Sequence, residues 1–138
     1  MNFFGMMDLA ASGLKAQRLR METVASNLAN ASATRTPEGG PYRRRDVVFE
    51  AVSVPSFQET LDRHLRQVRV AQVVEDPSPA RLRHEPGHPD ADPQGYVAYP
   101  NVDPVVEMIN LIGAARAYEA NVTVIEATKS LMLRALEI

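Results

Sequence analysis

The sequence predicts a mainly α-helical protein with a small β-rich insertion. Apolar residues recur with heptad spacing at both ends of the chain, the prolines and most glycines crowd between residues 37 and 104, and two β-branched runs lie inside that region. A chain of 138 residues is long enough for one domain with a modest core. We therefore expect helices in residues 1–31 and 101–138 that pair as a coiled coil. Residues 32–100 should form short strands and ordered loops.

The first predicted element is a helix from Phe3 to Ala31. Its apolar residues form two alternating columns with a spacing of seven, which is the pattern of a coiled-coil seam. One column contains Met7, Leu14, Met21 and Leu28, and the other contains Phe3, Ala10, Gln17, Val24 and Ala31. The flanking positions all tolerate contact with water; they are Asp8, Lys15, Arg18, Arg20, Glu22 and Asn27.

The last predicted element is a longer helix that begins at Asp103 and Pro104. Asp103 suits the N-cap, Pro104 suits the first helical position, and Glu107 lies near the positive end of the macrodipole. Two heptad columns follow. They contain Met108, Ala115, Val122, Lys129 and Leu136, and Leu111, Tyr118, Ile125 and Met132.

The heptads leave two interpretations open. The helices can pair only with each other, or they can pair and also pack against neighbouring subunits. Ile109, Ile112 and Val124 lie outside the columns, and exposed apolar surface of this kind favours the second interpretation. We further hypothesise that the polar interruptions, Gln17 and Lys129, set the register of packing or reach neighbouring subunits.

The middle segment predicts strands separated by turns. The runs RDVVFEAVSV (residues 45–54) and QVRVAQVVED (67–76) are rich in β-branched residues, and GYVAYP (95–100) suggests a third short strand. Between the first two, Ser56 and Glu59 have capping-box spacing, which predicts a short helix in residues 56–65.

Composition argues against several classes of protein. The net charge of −2 disfavours a general nucleic-acid binder, and the absence of cysteine rules out disulfides, thiolate metal sites and a cysteine nucleophile. The N-terminal stretch lacks the basic region and unbroken apolar core of a cleaved signal peptide. No apolar run approaches the roughly 20 residues of a membrane-spanning helix.

One stretch matches a catalytic motif in letters only. His84, Glu85 and His88 spell H-E-x-x-H, which binds zinc when both histidines lie on one continuous helix. Pro86 and Pro89 disfavour that helix, so we expect a loop. The run Arg43–Arg45 is interpreted as a solvated turn or a salt-bridge site, and the Ser12-x-x-Lys15 pair lies inside the heptad helix. We expect no catalytic, cofactor-binding or metal-binding residue.

Two stretches carry a resemblance to a known family. Residues 12–51 resemble the N-terminal region of bacterial flagellar rod and hook proteins, in which an A-S-N-L-A-N helix end leads to a threonine-containing turn and an aromatic–basic pair. Residues 86–102, PGHPDADPQGYVAYPNV, carry the most specific part of the resemblance. The matching positions are Ser26, Asn27, Leu28, Asn30, Thr36, Tyr42 and Arg43, followed by Gly87, His88, Pro89, Asp90, Gly95, Tyr96 and Asn101.

The resemblance implies a structural subunit that is not an enzyme and binds no cofactor, nucleic acid or small-molecule substrate. It implies export by the flagellar type III apparatus without a cleaved signal, and assembly in the periplasmic space with copies of itself, other rod proteins and the membrane-ring protein. The product would be the proximal rod, which transmits torque and houses the export channel. The alternatives left open are a generic coiled-coil scaffold and a metallohydrolase at the His84–His88 loop.

Overall fold

The computed structural model describes residues 3–53 and 66–137. In this part of the chain a long helix lies at each end of the sequence, and two antiparallel β-hairpins lie between them in the sequence. This confirms the predicted mainly α architecture with a small β insertion. The predicted helix in residues 56–65 lies outside the described residues. The elements are α1 (Phe3–Ala29), β1 (Arg45–Ser53), β2 (Arg66–Glu75), β3 (Arg81–His84), β4 (Tyr96–Tyr99) and α2 (Pro104–Leu136).

Helices α1 and α2 pack against each other in antiparallel orientation. Asn27, near the end of α1, contacts Glu107 at the start of α2, whereas Gly13 lies against Asn121, farther along α2. The contact at Gly13 is close, since a Cβ atom there would lie 2.7 Å from Asn121 Oδ1. The absence of a side chain at Gly13 therefore permits the helices to approach at this level.

The seam between the helices differs from the predicted one on α2. The residues of α2 that become buried are Glu107, Ala114 and Thr128, which lie one position before the predicted column of Met108, Ala115, Val122, Lys129 and Leu136. Met108 is 50% exposed and Leu136 is 82% exposed. The displacement arises because polar side chains occupy the seam, and a pattern of apolar residues cannot locate them.

The helix ends follow from local capping. Asp103 caps α2 as predicted, because its Oδ1 accepts a hydrogen bond from the Val105 N–H at 2.9 Å. Helix α1 ends at Ala29, two residues before the predicted end. There the Ser26 carbonyl accepts two hydrogen bonds, from the Asn30 backbone N–H at 3.1 Å and from the Asn30 side-chain amide at 2.9 Å.

The first hairpin packs against α1. Strands β1 and β2 pair antiparallel, as two of the predicted strands, with an irregularity between Val48 and Phe49. The Val68 N–H donates to Ser12 Oγ at 3.2 Å, and Ser12 Oγ donates in turn to the Leu9 carbonyl at 2.7 Å. The hydroxyl of Ser12 thus joins the hairpin to the helix.

The second hairpin contains one predicted and one unpredicted strand. The third predicted strand is present as β4, which pairs antiparallel with β3 in a separate two-stranded sheet. Strand β3 was missed because its sequence, RLRH, contains no β-branched residue. Its last residue, His84, was expected in a loop, and this expectation was wrong.

Two of the helical glycines, Gly13 and Gly113, provide a matched test of the close approach. We expect Gly113→Ala to stabilise the isolated subunit by about 1 kcal/mol, since alanine favours a helix and no atom outside the local helix backbone lies within 4 Å of the new Cβ. Gly13→Ala should lose this gain and cost about 1 kcal/mol or more, because Asn121 can move away only by breaking its 2.8 Å bond to the Ala117 carbonyl. Urea unfolding followed by circular dichroism measures both, and equal stabilisation would contradict the close contact.

Candidate assembly interface

A buried polar cluster lies where α1 ends and α2 begins. At its centre is Asn27, a flanking position of the heptad pattern, which is fully buried. Its Nδ2 donates to the Arg45 carbonyl at 2.8 Å and to Glu107 Oε2 at 2.9 Å. Its Oδ1 accepts from the Tyr42 hydroxyl at 3.0 Å and from the Arg45 N–H at 2.9 Å. All four hydrogen-bonding positions of the amide are therefore occupied.

The carboxylate of Glu107 provides the charge of this cluster. Glu107 is fully buried, and its Oε1 accepts a hydrogen bond from Arg44 Nε at 2.8 Å. Arg44 also lies 3.2 Å from Asp46 and 3.7 Å from Asp76. Burial alone would lower the pKa of Arg44, but its hydrogen bond with Glu107 and the charges of Glu107 and Asp46 raise that pKa above its ordinary value. Arg44 therefore remains charged and compensates the buried carboxylate.

The cluster extends to both hairpins through Asn101. Asn101 Oδ1 accepts from the Arg44 N–H at 3.0 Å, and its Nδ2 donates to the Ser78 carbonyl at 3.2 Å. The Asp76 N–H donates to the Arg44 carbonyl at 2.8 Å. The side chains of Ser26 and Tyr42 are 3.4 Å apart. One network thus joins α1, the chain before β1, the chain after β2 and the chain before α2.

Several other residues of the motif region make contacts within and between turns. Thr34 Oγ1 donates to Asp90 Oδ2 at 2.8 Å, and the Asp90 N–H donates to His88 Nδ1 at 3.1 Å. Gly95 has a φ of 84°, a conformation that favours glycine, and a Cβ there would lie 3.1 Å from His84 Nε2. These contacts position the loop that leads into β4.

Other motif positions make local contacts or face solvent. Tyr96 packs edge-on against the His84 ring, with ring centroids 5.0 Å apart, and the Thr36 N–H donates to the Gly40 carbonyl at 2.9 Å. Leu28 is half-buried, and four positions are exposed: Arg43, Gly87, Pro89 and Tyr96. The motif therefore divides between the buried cluster, the turns and the surface.

The predicted seam residues occupy a range of environments. Val24 is buried, whereas Met108 and Leu136 are exposed. The half-buried residues are Met7, Leu14, Gln17, Met21, Leu28, Leu111, Ala115, Tyr118, Val122, Ile125 and Met132. Their role in a subunit interface stays a prediction.

The H-E-x-x-H letters do not lie on a helix. His84 ends β3, residues 86–87 and 89–90 lie in turns and His88 lies in a bend, as the prolines predicted. The two imidazoles therefore lack the arrangement of a zinc protease. In residues 3–53 and 66–137 no group of three histidine, aspartate or glutamate side chains could hold a metal ion. Ser12 contacts the first hairpin, and Lys15 is exposed. No helix in the described part of the chain has the length and apolar character needed to cross a membrane.

The pairing of Arg44 with Glu107 in the cluster was not predicted from the sequence. Arg44 was grouped with its neighbours as a solvated turn or salt-bridge site, and Glu107 was interpreted only through the macrodipole. One signal in the sequence was available. Glu107, Ala114, Asn121 and Thr128 recur every seven residues, and this spacing marks a helix face that contains polar groups.

Comparison with known proteins identifies the class to which this fold belongs. Residues 7–35 match the family model described as flagella basal body rod protein, and residues 94–138 match the model described as flagellar basal body rod FlgEFG protein C-terminal. The two matches include most of α1 and all of α2. The helix pair is therefore that of a structural subunit of the flagellar basal-body rod.

Full-length relatives narrow the class to one family. The flagellar basal-body rod protein FlgC of Yersinia enterocolitica is 48% identical over 99% of this chain and 97% of its own length. The FlgC proteins of Borreliella burgdorferi and Bacillus subtilis are 45% and 42% identical over 100% of this chain and 98% and 99% of theirs. The chain belongs to the FlgC family. As a structural rod subunit it assembles with other rod proteins in the basal body.

Removing the buried carboxylate tests the cluster. We expect Glu107→Ala to lower the free energy of unfolding by about 3 kcal/mol, because Arg44 and the Asn27 amide lose a shared partner in a buried site. Glu119→Ala, an exposed position on the same helix, should change it by less than about 0.5 kcal/mol. Urea titration of both variants makes the comparison, and similar losses would show that the cluster contributes little.

The side chain of Gln17 suggests a stabilising substitution. Its Oε1 is buried and has no hydrogen-bond partner among the described residues. Gln17→Leu should raise the free energy of unfolding by about 1 kcal/mol, since leucine leaves no unsatisfied acceptor. Gln72→Leu, at an exposed position of β2, is the control. A loss of stability in Gln17→Leu beyond that of the control would show that the amide is satisfied in solution.

Proposed function

We propose that this chain is a subunit of the proximal rod and that the outer faces of α1 and α2 pack against copies of itself and other rod proteins. Apolar surface on the outside of α2 supports the proposal. The large apolar side chains of α2 that are 43–64% exposed include Val105, Ile109, Ile112, Val124, Leu131 and Leu133. A surface of this kind is typical of a helix with a further packing partner.

We propose that α1 and α2 form a coiled-coil unit inside the rod and that the hairpins make outer contacts. Supporting this, the helices run antiparallel along much of their length, and the network of Asn27, Arg44 and Glu107 joins them to the hairpins. Torque applied to a hairpin would pass through this network into the helices. Packed helices resist sliding because each displaced side chain must leave its neighbours, so an array of them suits a drive shaft around a central export channel.

We further propose that the subunit reaches the periplasmic space through the flagellar type III apparatus without a cleaved signal. Its partners there would include the membrane-ring protein. The relationship to basal-body rod proteins supports this location. No cofactor, nucleic acid or small-molecule substrate is part of the proposed role, and the net charge of −2 is in keeping with a protein that does not bind nucleic acid.

A single charge on the outer face of α2 tests the proposed packing. In a strain that lacks the native chain, Ile109→Asp should abolish swimming and leave basal bodies without a completed rod, since its 64% exposed side chain would bring an unpaired carboxylate into an apolar contact. Ile109→Val, which keeps an apolar side chain at the same exposed position, is the matched control and should swim.

Swimming in soft agar and electron microscopy of isolated basal bodies provide the measurements. Circular dichroism of each purified variant confirms folding. Normal rods assembled from folded Ile109→Asp subunits would refute the proposed contact.

A further inference from the structure

Strand β3 forms an exposed edge of the second hairpin. Among the described residues it pairs only with β4, in a sheet of two strands, and its four residues, Arg81–His84, are all exposed. The edge of a strand presents backbone N–H and C=O groups, and another extended chain can bind to them. What this edge can bind therefore depends on which of its backbone groups point outward.

The register of the hairpin identifies the outward groups. The Glu85 N–H donates to the Gly95 carbonyl at 2.9 Å, so these two residues face each other across the ladder. Inward and outward pairs alternate in an antiparallel ladder, and the outward residues of β3 are therefore His84 and Leu82. In the described part of the chain no hydrogen bond joins their backbone groups to another segment. Two N–H and two C=O groups are available for pairing.

The opposite strand agrees with this assignment. Tyr96 is level with His84 in the register, yet its carbonyl accepts from the Asp92 N–H at 2.8 Å, and its N–H donates to Asp92 Oδ1 at 2.8 Å. Both backbone groups of Tyr96 therefore point away from β3, as in a pair that exchanges no hydrogen bonds. The backbone groups of His84 accordingly point away from β4.

Prolines limit the free edge to a short stretch. Pro79 lies two residues before β3, and Pro86 lies two residues after it. Proline has no N–H and cannot donate to a ladder. A partner strand can therefore pair over about four or five residues, or about 15 Å of extended chain.

An open cavity of about 430 Å³ adjoins the strand. It is lined by residues 81–83 of β3, by the turn that follows α1, and by Tyr99 and Pro104. Side chains alternate between the two faces of a strand, so Arg81 and Arg83 lie on one face and Leu82 on the other. The cavity has room for side chains of an extended segment that pairs with β3.

The charge of the cavity indicates the composition of this segment. Arg81 donates to two backbone carbonyls and makes no ion pair with a described residue. The side chain of Arg83 is 65% exposed, 5.3 Å from the centre of the Tyr99 ring and 3.6 Å from Glu85. Asp103 caps α2 and does not line the cavity. Both charged residues in the lining are thus arginines, and they complement an acidic occupant.

We infer that the free edge of β3 binds an extended acidic segment of another basal-body protein, which adds a third strand to the second hairpin. Its backbone pairs with Leu82 and His84, and acidic side chains at alternate positions face Arg81 and Arg83. Leu82, which is 67% exposed on the opposite face, favours an apolar residue beside it. The inference deepens the proposal that the hairpins make outer contacts, and rests on it.

A peptide titration tests the chemistry of the edge. The probes are short synthetic peptides that alternate valine with glutamate or valine with lysine, added to the isotopically labelled full chain. In NMR spectra the glutamate peptide should shift the amide signals of Leu82 and His84. It should bind at least about tenfold more tightly than the lysine peptide, because only glutamate complements the arginines. Equal binding of the two peptides, or no shift at these amides, would overturn the inference.

Proline at the free edge tests the backbone pairing. Leu82→Pro removes an outward N–H and no bond of the β3–β4 ladder, so the hairpin should fold while binding of the glutamate peptide falls at least about fivefold. Leu82→Val keeps the N–H and an apolar side chain, and this matched control should bind as the native chain does. Circular dichroism checks the fold of both variants. Undiminished binding by folded Leu82→Pro would overturn the pairing.

Methylated peptides make the same test without changing the protein. Two forms of the glutamate peptide carry N-methyl groups on the two alternate sets of backbone amides. A paired strand directs only one set toward its neighbour, so one form should bind and the other should not. Equal binding of the two forms would overturn the inference even if Leu82→Pro fails to fold.

Swimming in soft agar tests the edge in the assembled rod. In a strain that lacks the native chain, Leu82→Pro should swim severalfold more slowly than Leu82→Val. Equal swimming would overturn the inference, and the proposed packing of the helices would still stand if Ile109→Asp blocks rod assembly. If the purified native chain dimerises in analytical ultracentrifugation and Leu82→Pro prevents this, the occupant is a second copy and the assigned partner is wrong.

Discussion

The structure depends on the buried carboxylate of Glu107. Burial of an ionised group is costly unless it is paired and hydrogen-bonded, and here Arg44 and Asn27 supply both kinds of partner. Arg44 precedes β1 and Asn27 belongs to α1, so the carboxylate is satisfied only when both segments are correctly placed. A shift of either helix by one turn would leave a buried charge unpaired. The cluster thereby selects one register from several that apolar packing alone would permit.

The part of the helix seam beyond the cluster does not by itself determine the register of the two helices. Among its buried residues are Ala10, Ala16 and Ala114, and Gly13 lies close to Asn121. Small side chains allow two helices to come together but distinguish poorly between neighbouring registers, because the contacts in one register are much like those in the next. Specificity therefore concentrates at the end of the pair that contains the polar cluster of Asn27, Arg44 and Glu107.

Sequence reasoning recovered the elements better than the contacts between them. Asp103 and Pro104 predicted the start of α2, because capping depends on residues close together in the sequence. The β-branched runs predicted β1, β2 and β4, because strand preference is also a local property. The four-residue strand β3 has no local signal and forms because β4 offers it a partner. The role of Asn27 could not be predicted from periodicity, since its hydrogen-bond partners lie up to 80 residues away in the chain.

The displaced seam on α2 has a further physical reason. A heptad argument assigns the most apolar column to the partner within the same molecule, and this assumes that the helix has one partner. In α2 the residues that face α1 are Glu107, Ala114 and Thr128. The carboxylate of Glu107 accepts from Asn27 and Arg44, and the Thr128 hydroxyl donates to the Val124 carbonyl of its own helix. The more apolar residue Met108 remains outside. A subunit that must fold alone and then pack with neighbours gains from this division, because the outer face can associate without competing for the contacts that hold the monomer together.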